Sequence, residues 1–265
     1  MLELSRTVRF CLSGDEADLE MPRDNTFSAW PAMRGLGRYY ELIVTCVGEA
    51  DPTTGYFINI KEIDRATRIH ALPILNRYTA DPHRAAATPM GQLMRELLGA
   101  VDPAVAGSVA RLTLVLTPRL QLTLEKHDMH HVILRQQYEF SAAHRLHVPS
   151  LSEEDNRKVF GKCNNPAGHG HNYRVEVAAR CPVDAQGHAL SPAALDASVN
   201  ALVIDKLDHK HLNEDVPAFA QRNPSVENIV KVVWSMLEGK LPGGAKLDEV
   251  KVWETGKTVC AYRGE

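Results

Sequence analysis

The chain has 265 residues, a formal net charge of -3 and 24% charged residues of mixed sign. It is long enough for one large or two ordinary domains, and it has no electrostatic footprint for nucleic acid or an anionic membrane as partner. Five scattered cysteines (Cys11, Cys46, Cys163, Cys181, Cys260), with no Cys-x-x-Cys pair, no leader pattern and no apolar run of membrane-spanning length, lead us to expect a soluble cytoplasmic protein rather than a secreted disulfide scaffold.

In chain order, residues 6–12 and 39–47 read as strands, with a polar loop holding Gly14 and Pro22 between them. Asp51-Pro-Thr-Thr-Gly55 is a turn by composition. Apolar residues at Ile63, Ala66, Ile69 and Ile74 predict a helix over 61–75 that ends near Pro73. After a loop with Pro82, Met90, Leu93, Met94, Leu97, Leu98 and Val101 fall at helical spacing, with Gly99 as the expected stop. Leu112, Leu114 and Leu116, then Leu120, Leu122 and Leu124, alternate as two strands around Pro118. His127-Asp-Met-His-His131 reads as a connector without function.

The second half repeats the order. A strand to Ala143, a loop, and a strand over 173–179 precede a turn over 182–187 and a helix from Pro192 to about Lys206. A second helix is capped by Ser225, buries Val226, Ile229, Val230, Val233, Trp234 and Leu237, and stops at Gly239. Strands around 250–253 and 258–262 close the half. Two halves reading β-β-α-α-β-β argue for internal duplication. Gly35-Leu-Gly-Arg-Tyr-Tyr40 lines up with Gly168-His-Gly-His-Asn-Tyr173, with Leu36 and Arg38 in place of the two histidines. At the same offset Trp30 stands where Cys163 does, and one residue off that register Asn76 faces Asp208. Leu116 occupies the place of Glu254. The expected domains are a degenerate, non-catalytic unit over 1–130 and a catalytic unit over 131–265.

The chemistry concentrates between Phe140 and Asn172. His169 and His171, two apart, share one face of an extended backbone, while Gly168 and Gly170 allow a turn and a close approach. His144, at the end of the strand-like run Tyr138, Phe140, Ala142, is the best third ligand. Three protein ligands with one position open is the catalytic pattern for zinc.

Phe140-Ser-Ala-Ala-His144, then Cys163 with five residues before His169-Gly-His171, resembles the 6-pyruvoyl-tetrahydropterin synthase family. The likeness runs through Val159–Pro166, Lys206–Lys210, Asp215–Phe219, Asn223–Asn228 and Val250–Thr255. It implies an α+β architecture of tandem tunnelling-fold units, each a four-stranded antiparallel sheet with two helices on one face. It further implies Zn2+ on His144, His169 and His171, proton transfer by Cys163, Asp208 and His209, and a pterin anchored by Glu254. Ser225-Val226 replaces a frequent Thr-Thr or Thr-x, so Ser225 bears on substrate fit, as does Ala167 in place of a common asparagine.

The implied reaction converts 7,8-dihydroneopterin triphosphate to 6-pyruvoyl-tetrahydropterin with loss of triphosphate, a carbon-oxygen lyase step of tetrahydrobiopterin biosynthesis. Protons must leave carbons next to oxygens, which calls for a Lewis acid and paired bases. A Cys163 thiolate needs a nearby cation, Asp208-His209 reads as a relay, and Glu254 suits the paired N–H donors of a pterin edge. His211 reads as a surface residue. Relatives with one unit per chain build two stacked rings of three, so a two-unit chain would form a homo-oligomer: a trimer, or a multiple of it. Two alternatives stand beside this reading: the 6-carboxy-tetrahydropterin synthase of the queuosine pathway, whose cysteine usually lies closer to His-Gly-His, and a non-catalytic pterin-binding scaffold.

Overall fold

The computed structural model describes residues 1–12, 36–80 and 88–264. The expectations on Gly14, Pro22, Trp30, Gly35 and Pro82 lie outside these residues. The chain divides into two compact units, Met1–Leu134 with Cys181–Ala189, and Arg135–Arg180 with Leu190–Glu265.

The first unit runs β1 (Leu2–Leu12), β2 (Arg38–Gly48), α1 (Ile60–Ala66), α2 (Leu72–Thr79), α3 (Met90–Val101), β3 (Val109–Thr117), β4 (Leu120–Glu125) and the start of β5 (Asp128–His144). Its sheet order is β1-β2-β3-β4-β5, antiparallel from β1 to β4. Alternate residues bury on one face: Val8, Phe10 and Leu12, Leu42 and Val44, Leu112 and Leu114, Leu122 and Leu124. Leu93, Met94, Leu97 and Leu98 of α3 are buried with them. A period of two on the strands against 3.6 on the helix is what makes this a two-layer core.

Three local expectations are corrected here. The first helix does not end at Pro73: a π-turn over Thr67–Ala71 joins α1 to α2, with Leu72 N–H reaching back to Thr67 O. Pro73 then falls in the first turn of α2, where its missing N–H costs little. Gly99 lies inside α3, and the chain turns only at Ala106 and Gly107, both left-handed at φ 55 and 72. Residues 128–131 are not a connector but the first residues of β5, because the turn closes at Lys126-His127 and lets β4 and β5 pair.

The second unit takes the rest of β5, then α4 (Glu153–Phe160), β6 (His169–Pro182), α5 (Pro192–Val199), α6 (Asp205–Leu207), β7 (Lys210–His211), α7 (Leu212–Asp215), α8 (Val226–Leu237), β8 (Lys246–Thr255) and β9 (Thr258–Tyr262). The sheet order is β5-β6-β8-β9, with the short β7 parallel to β5. Helix α8 packs on β8 and β9 and ends at Gly239, φ 70. Helix α4 stands where the sequence pattern predicts only a loop. Its signal was present: Ser152 accepts from Asp155 N–H, and Glu153, Glu154 and Asp155 fill the first turn.

Irregularities recur between the units at fixed spacing. The β2–β3 ladder slips between Thr45 and Cys46, and the β6–β8 ladder between Ala178 and Ala179. A second π-turn spans Asn200–Ile204. Both pairs of features are separated by the interval between Gly37 and Gly170. The β3–β4 slip at Val115/Thr117 has a counterpart in the β8–β9 slip at Trp253/Thr255, five residues beyond that interval. Glu41 pairs with Val115 as Arg174 pairs with Trp253, so Leu116 sits in the first unit where Glu254 sits in the second.

Candidate active site

His144 closes β5 and is fully buried. His169 and His171 open β6, the neighbour of β5, and the alternation of a strand puts their rings on one side, with centroids 4.9 Å apart. One ring nitrogen from each of the three histidines lies within 4.8 Å of the others. Gly168, at φ 71, makes this approach possible: a Cβ there would stand 3.0 Å from His144 O and 2.9 Å from His211 Nε2. Gly170 has ordinary space around it, 3.6 Å from Ala142 O.

His144 Nδ1 donates to Pro224 O at 2.7 Å, which leaves a lone pair on Nε2. That Nε2 is 3.0 Å from His169 Nε2. Burial, despite the Pro224 contact, pushes the His144 pKa down to about 4, and the neighbouring imidazoles add to this. His169 is lowered by burial and by His171. His171 Nε2 is buried without a hydrogen-bond partner. Three imidazoles converging on one point fit a divalent cation that prefers imidazole, such as zinc.

Asp208 and His209 follow α6. Asp208 Oδ1 accepts from Ser141 N–H at 2.8 Å, Oδ2 takes His209 Nδ1 at 2.7 Å, and His209 N–H donates to Ser141 O at 2.6 Å. These bonds hold His209 at φ 55, a left-handed backbone for a residue with a side chain. The Ser141 amide first, then His209, keeps the Asp208 carboxyl below its ordinary range. His209 is 82% exposed, so the pair presents an oriented imidazole to the outside.

Cys163 lies half-buried in a 3-10 turn over Gly161–Asn164. Asn164 Nδ2 donates to Leu146 O at 2.8 Å, and Leu146 N–H to Cys163 O at 2.9 Å. Among the described residues no hydrogen bond joins Cys163 to Asp208 or His209. Glu254 Oε1 stands 3.5 Å from His144 Nε2 and 3.9 Å from His171 Nε2, so the strand end of β8 delivers a carboxylate to the histidine cluster. Ser225 has N-cap backbone geometry, but its hydroxyl does not cap α8 and hydrogen-bonds Glu227 instead.

The family model described as 6-pyruvoyl tetrahydropterin synthase matches residues 133–265. The human 6-pyruvoyl tetrahydrobiopterin synthase is 45% identical over 127 residues, 48% of this chain and 87% of that protein. The chain belongs to the 6-pyruvoyl tetrahydropterin synthase family. The Drosophila melanogaster 6-pyruvoyl tetrahydrobiopterin synthase is 44% identical over 126 residues, 47% of this chain and 75% of its own. The solved Caenorhabditis elegans 6-pyruvoyl tetrahydropterin synthase aligns at TM-score 0.48 and 37% identity, over 51% of this chain and 96% of that one. No helix among the described residues is long and apolar enough to cross a membrane.

Within this family member, several groups at the site were not picked out from the sequence. Pro224 has no side-chain donor or acceptor to mark it, because its carbonyl does the work. His211, read as a surface residue, is half-buried with Nδ1 buried and unpartnered. Its backbone pairs with Ala143 through β7, a strand too short to leave a periodic signal. Tyr173, which stacks on Phe140 at 4.9 Å and meets the edges of His144 and His171, is fully buried with an unpartnered hydroxyl.

Proposed function

We propose that residues 131–265 form a zinc-dependent 6-pyruvoyl-tetrahydropterin synthase that converts 7,8-dihydroneopterin triphosphate to 6-pyruvoyl-tetrahydropterin with elimination of triphosphate. The convergence of three imidazoles, with the His144 tautomer set by Pro224 O, is the observation that carries this reading. His144, His169 and His171 would hold the metal, which when bound would supply the Lewis acidity needed to loosen protons on carbons next to oxygens. Asp208 fixes the His209 tautomer with Nδ1 protonated, so Nε2 is the atom that takes or returns a proton. Glu254 accepts from the pterin edge, and Ser225, turned toward Glu227, tunes substrate fit from the start of α8.

Cys163 is the second proton-transfer group. It has no hydrogen bond to Asp208 or His209 of its own chain, which favours a site completed between chains in a trimer or a multiple of it. Among the described residues β1 and β9 end the strand order, and open edges of this kind favour association. Shared bulges and π-turns support an origin of the two units by duplication, with 1–130 retained as a non-catalytic unit carrying Leu36, Arg38, Asn76 and Leu116 in place of reactive groups.

The test is to incubate the zinc-loaded protein with 7,8-dihydroneopterin triphosphate and identify products by mass. A 6-pyruvoyl product with free triphosphate is expected. A 6-carboxy product would replace the proposed chemistry with side-chain cleavage, and no turnover would leave a binding module.

A further inference from the structure

Beyond His144 the chain leaves β5, and Arg145, Leu146, His147 and Val148 belong to no helix or strand. Their backbone groups must still find partners, and asparagine side chains supply most of them. Asn213 Oδ1 accepts from Arg145 N–H at 2.8 Å, and its Nδ2 donates to Arg145 O at 3.0 Å. Asn223 Oδ1 accepts from His147 N–H at 3.2 Å. Asn156, fully buried, accepts from Val148 N–H at 2.8 Å and donates to Val148 O at 2.9 Å. An asparagine amide carries a donor and an acceptor side by side, as a peptide does, so Asn213 and Asn156 each stand in for a strand neighbour.

Leu146 is held differently, because the turn that carries Cys163 provides both of its partners. Leu146 N–H donates to Cys163 O at 2.9 Å, and Leu146 O accepts from Asn164 Nδ2 at 2.8 Å. Arg145 Nε closes the contact by donating to Asn164 O at 3.1 Å. Asn164 is buried, and its Nδ2 also reaches His147 Nδ1 at 3.1 Å. The Cys163 turn is thereby latched onto a segment whose own course the other asparagines fix. That segment begins at a residue of the histidine cluster: Pro224 O holds His144 Nδ1, the preceding Asn223 holds His147, and Asn228 Nδ2 ties Asn223 O to α8 at 2.8 Å. Buried networks of this kind reinforce one another, so loosening one bond is felt at the next.

We propose that Asn164 and Asn213 are positioning residues that act through Arg145 and Leu146 to hold the Cys163 turn in a fixed place relative to His144. Neither side chain has to touch the substrate. The inference rests on the synthase reading above, which makes Cys163 a proton-transfer group, and adds what sets the place of that group. Proton transfer falls steeply when the base is displaced, whereas ground-state binding of the substrate is left largely as it was.

The experiment uses the full-length, zinc-loaded protein with Asn164→Ala and Asn213→Ala, and checks zinc content and melting temperature for each. Steady-state kcat and KM on 7,8-dihydroneopterin triphosphate form one readout. The other is iodoacetamide alkylation of Cys163 as a function of pH, resolved by peptide mass so that the half-buried Cys260 serves as an internal reference. Each variant should lose about tenfold to a hundredfold in kcat with KM within about twofold of the parent, as displacement of a reacting group predicts. The alkylation rate of Cys163 should change by about threefold or more while that of Cys260 stays the same, because thiol reactivity follows its surroundings. If the buried Asn164→Ala fails to fold, the half-buried Asn213→Ala carries the test. Folded, zinc-loaded Asn213→Ala with kcat and Cys163 alkylation both unchanged would overturn this inference and leave the synthase reading intact. A raised KM at unchanged kcat would also overturn it, since the asparagines would then serve substrate binding. Altered Cys163 alkylation in a protein that never turns over the pterin would sink the synthase reading and leave the positioning role standing.

Discussion

His144 donates from Nδ1 to the carbonyl of Pro224 at 2.7 Å and thereby presents an unprotonated Nε2 to His169. The start of α8 thus sets the protonation of a ring at the end of β5. Since only the second unit holds such a cluster among the described residues, metal analysis should find one zinc per chain, and His144→Ala should abolish it. Two zincs per chain would contradict the assignment.

Cys163→Ala should keep its zinc and its fold but lose turnover by about 10²–10⁴-fold, the usual worth of a proton-transfer group. Loss of metal in that variant would instead make Cys163 a ligand.

Asp208→Asn should lower kcat by about 10²-fold or more, because an amide can donate as well as accept and no longer fixes which His209 nitrogen carries the proton. Zinc content and KM should change little. An unaltered kcat would remove Asp208 and His209 from the mechanism.

On the sheet of the second unit, Arg135 Nη1 bridges Glu176 at 3.0 Å and Glu249 at 2.8 Å, and Glu249 also takes Lys251 and Arg263. Burial would raise the Glu249 pKa, but Lys251 and Arg135 outweigh it and the net shift is downward from 4.5. Its stabilisation is therefore complete above the unfolded value and fades as pH falls through the lower folded one. Glu249→Gln should cost on the order of 2 kcal/mol at neutral pH and flatten the loss of melting temperature below pH 4.5. An unchanged acid profile would show that the network does not contribute.

Deleting residues 1–130 removes no candidate catalytic residue, yet it should change the assembly and reduce activity if the first unit builds part of the oligomer. Light scattering that finds a fully active monomer, whole or truncated, would contradict this.

What the sequence by itself determined is what local geometry dictates. A spacing of two on a strand forces His169 and His171 onto one side, and the apolar stripe of residues 226–237 forces a helix. Pro73 misled because its effect depends on the turn before it: a π-turn changes which carbonyl lacks a donor, and no side-chain pattern announces one. Only the tertiary structure could bring Pro224 to His144, 80 residues apart, or place Lys210 and His211 beside His171 through a two-residue strand. Such contacts are made by backbone carbonyls and short parallel bridges, whose partners are chosen by chain packing rather than by periodicity along the chain.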